Sequence, residues 1–304
     1  MKKSYKKSDK IEVNEIERNE KFIKAYQIAE DQMNRTNLFI KSDLLIQNSH
    51  NIQSIMDLRL FNTLIFLITN KEHQKRTKME LITDNNSEYY KLKLKYSELR
   101  KILQFNKNKG FVSFLTKSIH NLSQPFEIKD KDKIIITSFL WKSEFEKYND
   151  LGKPEEYNDI SFLVDKKMFD KIIFGMETFT ILNIMELNSF QSTYATKIAE
   201  LLIKANRLES IRYFTLSLTE VNKLFQTDYK YITHTRNTLN NAIKKIEETF
   251  PELKDIKLIY INNKLVKKLK NEKNIDTEEH IAFIFPDYKD MLYKKPINYL
   301  RDLD

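Results

Sequence analysis

The 304-residue chain sets 52 Lys and Arg against 43 Asp and Glu, a net charge of +9, and contains three glycines and no cysteine. Gly110, Gly152 and Gly175 stand apart, whereas a dinucleotide fingerprint or a P-loop needs two or three glycines within about six residues so that backbone can approach phosphate. The absence of cysteine excludes disulfides, thiolate zinc sites, iron–sulfur clusters and thiol nucleophiles.

At about 150 residues per domain the length predicts two domains, and 41% hydrophobic residues are enough for two modest cores. The best apolar run, residues 64–68, ends at Thr69, Asn70 and Lys71, far short of the roughly 18 residues of a membrane span. No apolar segment follows the basic first ten residues, so no signal peptide is expected. The expectation is a soluble, cytoplasmic protein with no membrane partner. Lys, Asn and Ile are all over-used, as AT-rich coding sequence makes them, so the position of charge is more informative than its total.

Residues 1–35 read as a basic arm and one amphipathic helix through Ile16, Phe22, Ile23, Tyr26 and Ile28. A first unit is expected over 36–158. In it Leu58, Phe61, Leu64, Ile65 and Ile68 define a helix over 57–69 with Asp57 as N-cap. A strand over 89–94 and a helix over 97–103 follow. Beyond Gly110, a second helix carries Phe111, Leu115, Ile119 and Leu122 on one face. Strands over 126–129 and 134–141 form a ribbon whose turn is Lys129-Asp130-Lys131-Asp132. The acidic stretch 142–159, with Gly152 and Pro154, marks a connection between units or a long wing loop.

A second unit is expected over 159–285. Its elements are a helix over 192–204 through Ala195, Ile198, Leu201 and Leu202, a strand over 212–216, two helices, and strands over 258–261 and 281–285 joined by a Lys-rich turn. Residues 286–304 are a tail of mixed charge containing Pro296. Helix, strand, helix, helix, strand, strand is the order of a winged helix, and both units have it. Residues 97–104 align with 219–226 at an offset of 122; Leu115, Ser118, Ile119 and Leu122 align with Leu239, Ala242, Ile243 and Ile246 at 124. The predicted fold class is α+β, two tandem winged-helix domains related by an internal pseudo-repeat.

In the second unit the stripe Leu239, Ala242, Ile243 and Ile246 points inward. Lys230, Thr233, His234, Asn237, Asn240, Asn241 and Lys244 then fall on or near the opposite face, with Arg236 on its flank. That face has no carboxylate before Glu247. Its side chains suit DNA, because Asn pairs bidentately with adenine, Arg with guanine, Thr meets a thymine methyl and Lys neutralises phosphate. A solvated helix face in an Asn-rich protein is the plainer alternative. Lys264, Lys267, Lys268, Lys270 and Lys273 crowd the second ribbon's turn and Lys129, Lys131 and Lys133 the first, as phosphate-contacting wings would. The corresponding face of the first unit, Lys107, Lys109, Ser113, Thr116, Lys117, His120 and Asn121, is suited to holding phosphate rather than reading sequence.

His50, His73, His120, His234 and His280 have no i, i+2 or i, i+4 partner among themselves, so no zincin or His-hydrophobic-His metal motif is present. No carboxylate cluster stands beside an apolar pocket signal, and no tyrosine has a recognisable activating partner. The chain is therefore not expected to be an enzyme or to hold a metal or cofactor.

At these residues the sequence resembles the iteron-binding replication initiators of theta-type plasmids. Ser192-Thr193-Tyr194-Ala195 leading into Ile198, Glu200, Leu201 and Leu202 is similar to the family's first helix in its second domain. Residues 218–225 resemble its next helix, and residues 231–246, with Arg236 and Ala242-Ile243-Lys244-Lys245-Ile246, its recognition helix. Lys245 stands where the family has an acid, and the family's arginine cluster is reduced to Arg236 beside Asn237. The likeness spans roughly residues 36–285. It implies binding of directly repeated origin sequences in double-stranded DNA, origin opening, and recruitment of the host initiator and replicative helicase. It also implies monomer–dimer exchange through the first unit, with dimers repressing the protein's own gene. The alternative is a winged-helix transcriptional regulator without a replication role. A scaffold that never meets DNA leaves the lysine-rich wings unexplained.

Overall fold

The structure, a computed structural model, describes residues 37–48, 52, 54–70, 79–84, 87–105, 110–130, 133–147, 157–170, 179–207, 213–261 and 278–285. The expected N-terminal arm, the C-terminal tail and the turn of the last ribbon lie outside these. The chain divides into two compact units, Met1–Ser189 and Phe190–Asp304. Among the described residues no helix is long and apolar enough to cross a membrane.

Unit 1 opens with β1 (Leu38–Ser42) and the short helix α1 (Asp43–Gln47), followed by the long helix α2 (Ile55–Thr69). All of α2 after Ile55 is buried, so it is a central helix rather than an amphipathic one with a free polar face. Its N-cap is Ser54, whose hydroxyl accepts the Asp57 N–H at 3.0 Å. Asp57, expected as the cap, lies one turn inside the helix, where its carboxylate accepts the Asn121 side-chain N–H at 2.9 Å.

Next come β2 (Glu80–Asp84), β3 (Ser87–Lys95), α3 (Tyr96–Ile102), α4 (Phe111–Leu122), β4 (Phe126–Asp130), β5 (Lys133–Thr137), β6 (Leu140–Lys147) and β7 (Tyr157–Asp165). The unit ends on α5 (Lys166–Phe169), β8 (Phe179–Asn183) and α6 (Ile184–Ser189), with β8 antiparallel to β1. A four-stranded antiparallel sheet runs in the order β2-β3-β7-β6, and β4 and β5 form a hairpin of their own.

The strand expected over 134–141 is therefore two strands, broken at Ser138 and Phe139, and the ribbon that joins β3 is β6–β7 rather than 126–141. Ile160, Phe162 and Val164 of β7 are fully buried and Leu163 nearly so, the composition of a strand with neighbours on both sides. Both described ends of the acidic stretch are thus strand, with Lys147 opposite Tyr157 and Lys93 of β3 neutralising Asp159 at 3.5 Å. The boundary expected at 158/159 falls inside β7, while the division between compact units lies between Ser189 and Phe190.

Unit 2 comprises α7 (Thr193–Arg207), β9 (Tyr213–Ser217), α8 (Leu218–Phe225), a 3-10 turn (Ile232–Thr235), α9 (Arg236–Thr249), β10 (Lys257–Ile261) and β11 (His280–Ile284). Its antiparallel sheet runs β10-β11-β9. Helix α8 starts on a capping box, with Ser217 accepting the Glu220 N–H at 3.2 Å and the Glu220 carboxylate accepting the Ser217 N–H at 2.7 Å.

The same order recurs in unit 1 as α2, β3, α3, α4, β6 and β7, and the sheet order β3-β7-β6 matches β9-β11-β10. Leu99, Ile102 and Leu103 are buried as are Val221, Leu224 and Phe225, 122 residues on. Leu115, Ser118 and Leu122 are buried as are Leu239, Ala242 and Ile246, 124 residues on. Helices α3 and α8 also end alike. Gln104 and Gln226 both take left-handed backbone, φ 51 and 53. The following N–H groups, of Phe105 and Thr227, return to the Arg100 and Asn222 carbonyls at 3.2 and 3.0 Å, a Schellman-type closure.

Candidate nucleic-acid interface

Helix α9 packs on α7 through Leu239, Ala242, Ile243 and Ile246, all buried. The 3.6-residue period then leaves the opposite side open, and Arg236, Asn237, Asn240, Asn241 and Lys244 are all exposed. His234 is also exposed, with its ring edge-on to that of Tyr231 at 5.2 Å. Thr233 is half-buried. The segment expected to be one helix from 231 is a 3-10 turn, and regular helix begins at Arg236. Lys230, exposed, precedes both.

The structure therefore exposes Arg236, Asn237, Asn240, Asn241 and Lys244 along one side of α9, with Lys230 and His234 exposed in the segment before it. No carboxylate occurs between Asp228 and Glu247, and Glu247 turns to accept the Ile256 N–H at 3.2 Å. The surface combines positive charge with amide groups that both donate and accept. Arg236 is partnered from below, its guanidinium carbon lying 5.0 Å from the centre of the Tyr260 ring on β10. Burial pushes the Tyr260 phenol above its ordinary value, against the pull of Arg236.

Three residues that hold this surface were not singled out by the sequence. Asn222 closes the turn between the two helices: its amide donates to the Tyr229 carbonyl at 2.9 Å and accepts the Tyr229 N–H at 2.8 Å. Glu279, buried just before β11, accepts the Ile232 N–H on its carboxylate at 2.6 Å and the Leu218 N–H on its carbonyl at 2.8 Å. It thus fixes the starts of the 3-10 turn and of α8 together. Tyr260 is the third. Asn222 and Glu279 are common types in charged stretches, and only the fold sets them against unpaired backbone N–H groups.

In unit 1 the matching helix, α4, exposes Ser113, Thr116, Lys117 and His120. Asn121, on the expected face, is committed to Asp57. Phe114 is 50% exposed on the same helix, an apolar residue where unit 2 has Thr238. Lys107, Lys109, Lys264, Lys267 and Lys268 lie outside the described residues, as do Lys131, Lys270 and Lys273.

No protein-family model matches the chain, and no curated protein sequence matches it. Among solved structures, it is similar to the crystal structure of the Pi initiator protein in complex with iteron DNA. That likeness has a TM-score of 0.54 at 13% identity and covers 83% of this chain and 98% of that one. Weaker similarity extends to two structures of RctB domains 2 and 3. One has a TM-score of 0.35 at 11% identity over 68% of this chain and 90% of that one. The other has a TM-score of 0.30 at 10% identity over 69% and 92%. The first likeness shows a shared mixed α/β fold.

Proposed function

We propose that the chain is a non-enzymatic, sequence-specific double-stranded DNA-binding protein that initiates replication at directly repeated sequences. Each unit is a winged helix, with α3–α4 and α8–α9 as the helix pairs and β6–β7 and β10–β11 as the wings. The observation that carries this reading is the α9 surface: five exposed residues from Arg236 to Lys244, all cationic or amide-bearing, on a helix otherwise anchored by its buried stripe. Such a helix enters a major groove while Lys230, Lys244 and the wing lysines Lys264, Lys267 and Lys268 meet phosphate. The shared fold with a protein crystallised on iteron DNA supports the same reading. Unit 1, through Lys107, Lys109 and Lys117, contributes backbone contacts and dimerisation. Origin opening, recruitment of the host initiator and helicase, and repression of the protein's own gene by dimers complete the proposal.

The test is binding to a ~20-base-pair direct repeat and to shuffled duplex at one salt concentration. Arg236→Ala or Asn241→Ala is expected to cost ~1–3 kcal/mol on the repeat and little on shuffled DNA. Lys267→Ala or Lys268→Ala is expected to weaken both and flatten the salt slope. Equal losses on both duplexes from all four variants would overturn the base-reading assignment.

A further inference from the structure

The Arg236 side chain poses a physical problem for a base-reading role. Its guanidinium reads guanine by presenting two parallel N–H groups in one plane. A long exposed side chain pays up to about 2 kcal/mol of rotamer entropy to be fixed in that way. Arg236 is exposed and is the first residue of α9, where a long side chain reaches into solvent.

The restraint comes from the wing. Tyr260, on β10, faces Arg236 with its ring centre 5.0 Å from the guanidinium carbon, within the range at which a cation is held over an aromatic face. The ring is itself fixed. Tyr260 is half-buried and stands opposite Ile281, which is fully buried on the central strand of the three-stranded sheet. Its hydroxyl is buried and has no hydrogen-bond partner among the described residues. What the site uses is the ring face.

We propose that Tyr260 is a positioning residue for base reading: its ring holds the Arg236 fork in the orientation that meets a guanine edge, so a wing-strand residue sets specificity at a base it never touches. This rests on the reading of α9 as the recognition helix. It makes the wing more than a phosphate clamp, because the first strand of the ribbon and the first residue of the helix act as one unit.

The experiment measures the ratio of affinity for a selected repeat to affinity for shuffled duplex. The proteins are the full-length native chain, Tyr260→Phe, Tyr260→Leu, Arg236→Ala and the Arg236→Ala/Tyr260→Leu double variant. Tyr260→Phe keeps the ring face and is expected to keep the ratio. Tyr260→Leu is expected to lower it about three- to thirtyfold, the strength of such a contact converted at tenfold per 1.4 kcal/mol, while affinity for shuffled duplex holds. In the double variant the ratio is expected to match that of Arg236→Ala. An unchanged ratio in Tyr260→Leu, an equal fall in Tyr260→Phe, or a further fall in the double variant would overturn the proposal. If Arg236→Ala leaves the ratio intact, the failure lies with the recognition-helix reading instead. Should Tyr260→Leu not fold, nuclear magnetic resonance of the native chain decides: an Arg236 Nε–H that is rigid and ring-shifted in native protein and Tyr260→Phe supports the proposal, and a freely mobile one overturns it.

Discussion

The Arg59 guanidinium donates to the Leu103 carbonyl at 3.1 Å, so a buried cation on the first long helix of unit 1 closes the end of α3. Unit 2 repeats the arrangement: the buried Lys197 ammonium on α7 donates to the Leu224 carbonyl at 2.8 Å, at the end of α8. The last carbonyls of a helix lack intrahelical partners and carry the negative end of its dipole, so a cation suits them. Burial lowers the pKa of Arg59 from its ordinary value.

Truncating either cation leaves a buried carbonyl short of its donor, at a cost of ~1–3 kcal/mol. Arg59→Ala is expected to speed amide hydrogen exchange in α3 and Lys197→Ala in α8, each within its own unit. Unchanged exchange would show that water or another donor replaces the cation.

Gln104 and Gln226 occupy left-handed backbone at φ 51 and 53, a conformation that costs a residue with a Cβ roughly 1–2 kcal/mol and glycine almost nothing. Gln226→Gly is expected to stabilise unit 2 by up to ~1 kcal/mol in denaturant unfolding, net of the added freedom of the unfolded chain, and Gln104→Gly to gain less in unit 1, because it also removes the hydrogen bond from the Gln104 side-chain amide to the Met185 carbonyl. A larger gain at Gln104 than at Gln226 would contradict this.

Glu279 offers a sharper contrast between two substitutions. Glu279→Gln retains an acceptor for the Ile232 N–H, whereas Glu279→Ala leaves that buried group unpaired at ~1–3 kcal/mol. Hydrogen exchange at Ile232 is expected to rise strongly in Glu279→Ala and slightly in Glu279→Gln. Loss of repeat-specific binding is expected to follow the same order.

Burial raises the phenols of Tyr194 and Tyr260 above the ordinary value of about 10. The folded state therefore holds these protons more tightly than the unfolded chain does. Their contribution to stability is fully present below about pH 10 and is lost as pH climbs through the raised folded values. Tyr260→Phe removes one of these titrations and a buried hydroxyl that has no partner among the described residues. It is expected to be no less stable than the native chain at neutral pH and to lose less stability from about pH 9 to about pH 11. A steeper alkaline loss than native would contradict this.

The sequence carried the repeated helix pair because apolar residues on helices α3, α4, α8 and α9 recur at 3.6-residue spacing and leave the remaining positions mainly polar, Phe114 of α4 excepted. Unit 2 follows its periodic pattern closely, and the buried stripe of α9 leaves Arg236, Asn237, Asn240, Asn241 and Lys244 exposed. Unit 1 departed where periodicity is silent. The run Ile134, Ile135 and Ile136 reads as one strand with Leu140 and Trp141, yet among the described residues β5 pairs with β4 alone. The acidic segment masked the hairpin arms of β6 and β7, because strand pairing with lysines of a distant strand is not visible locally. Buried Arg59 and Lys197 interrupt the apolar pattern of their helices, and their carbonyl partners lie 44 and 27 residues away. Tyr260 is one of fifteen tyrosines, and only the packing of β10 against the 3-10 turn that leads into α9 sets its ring beside Arg236.

The central claim is that α9 reads base sequence. Selection of binding sites from a randomised duplex pool tests it most directly, with the native chain and Arg236→Ala carried through in parallel. The native chain is expected to enrich one motif containing a guanine whose selection vanishes in Arg236→Ala. Enrichment of no motif, or of the same motif with the same guanine by both proteins, would contradict it.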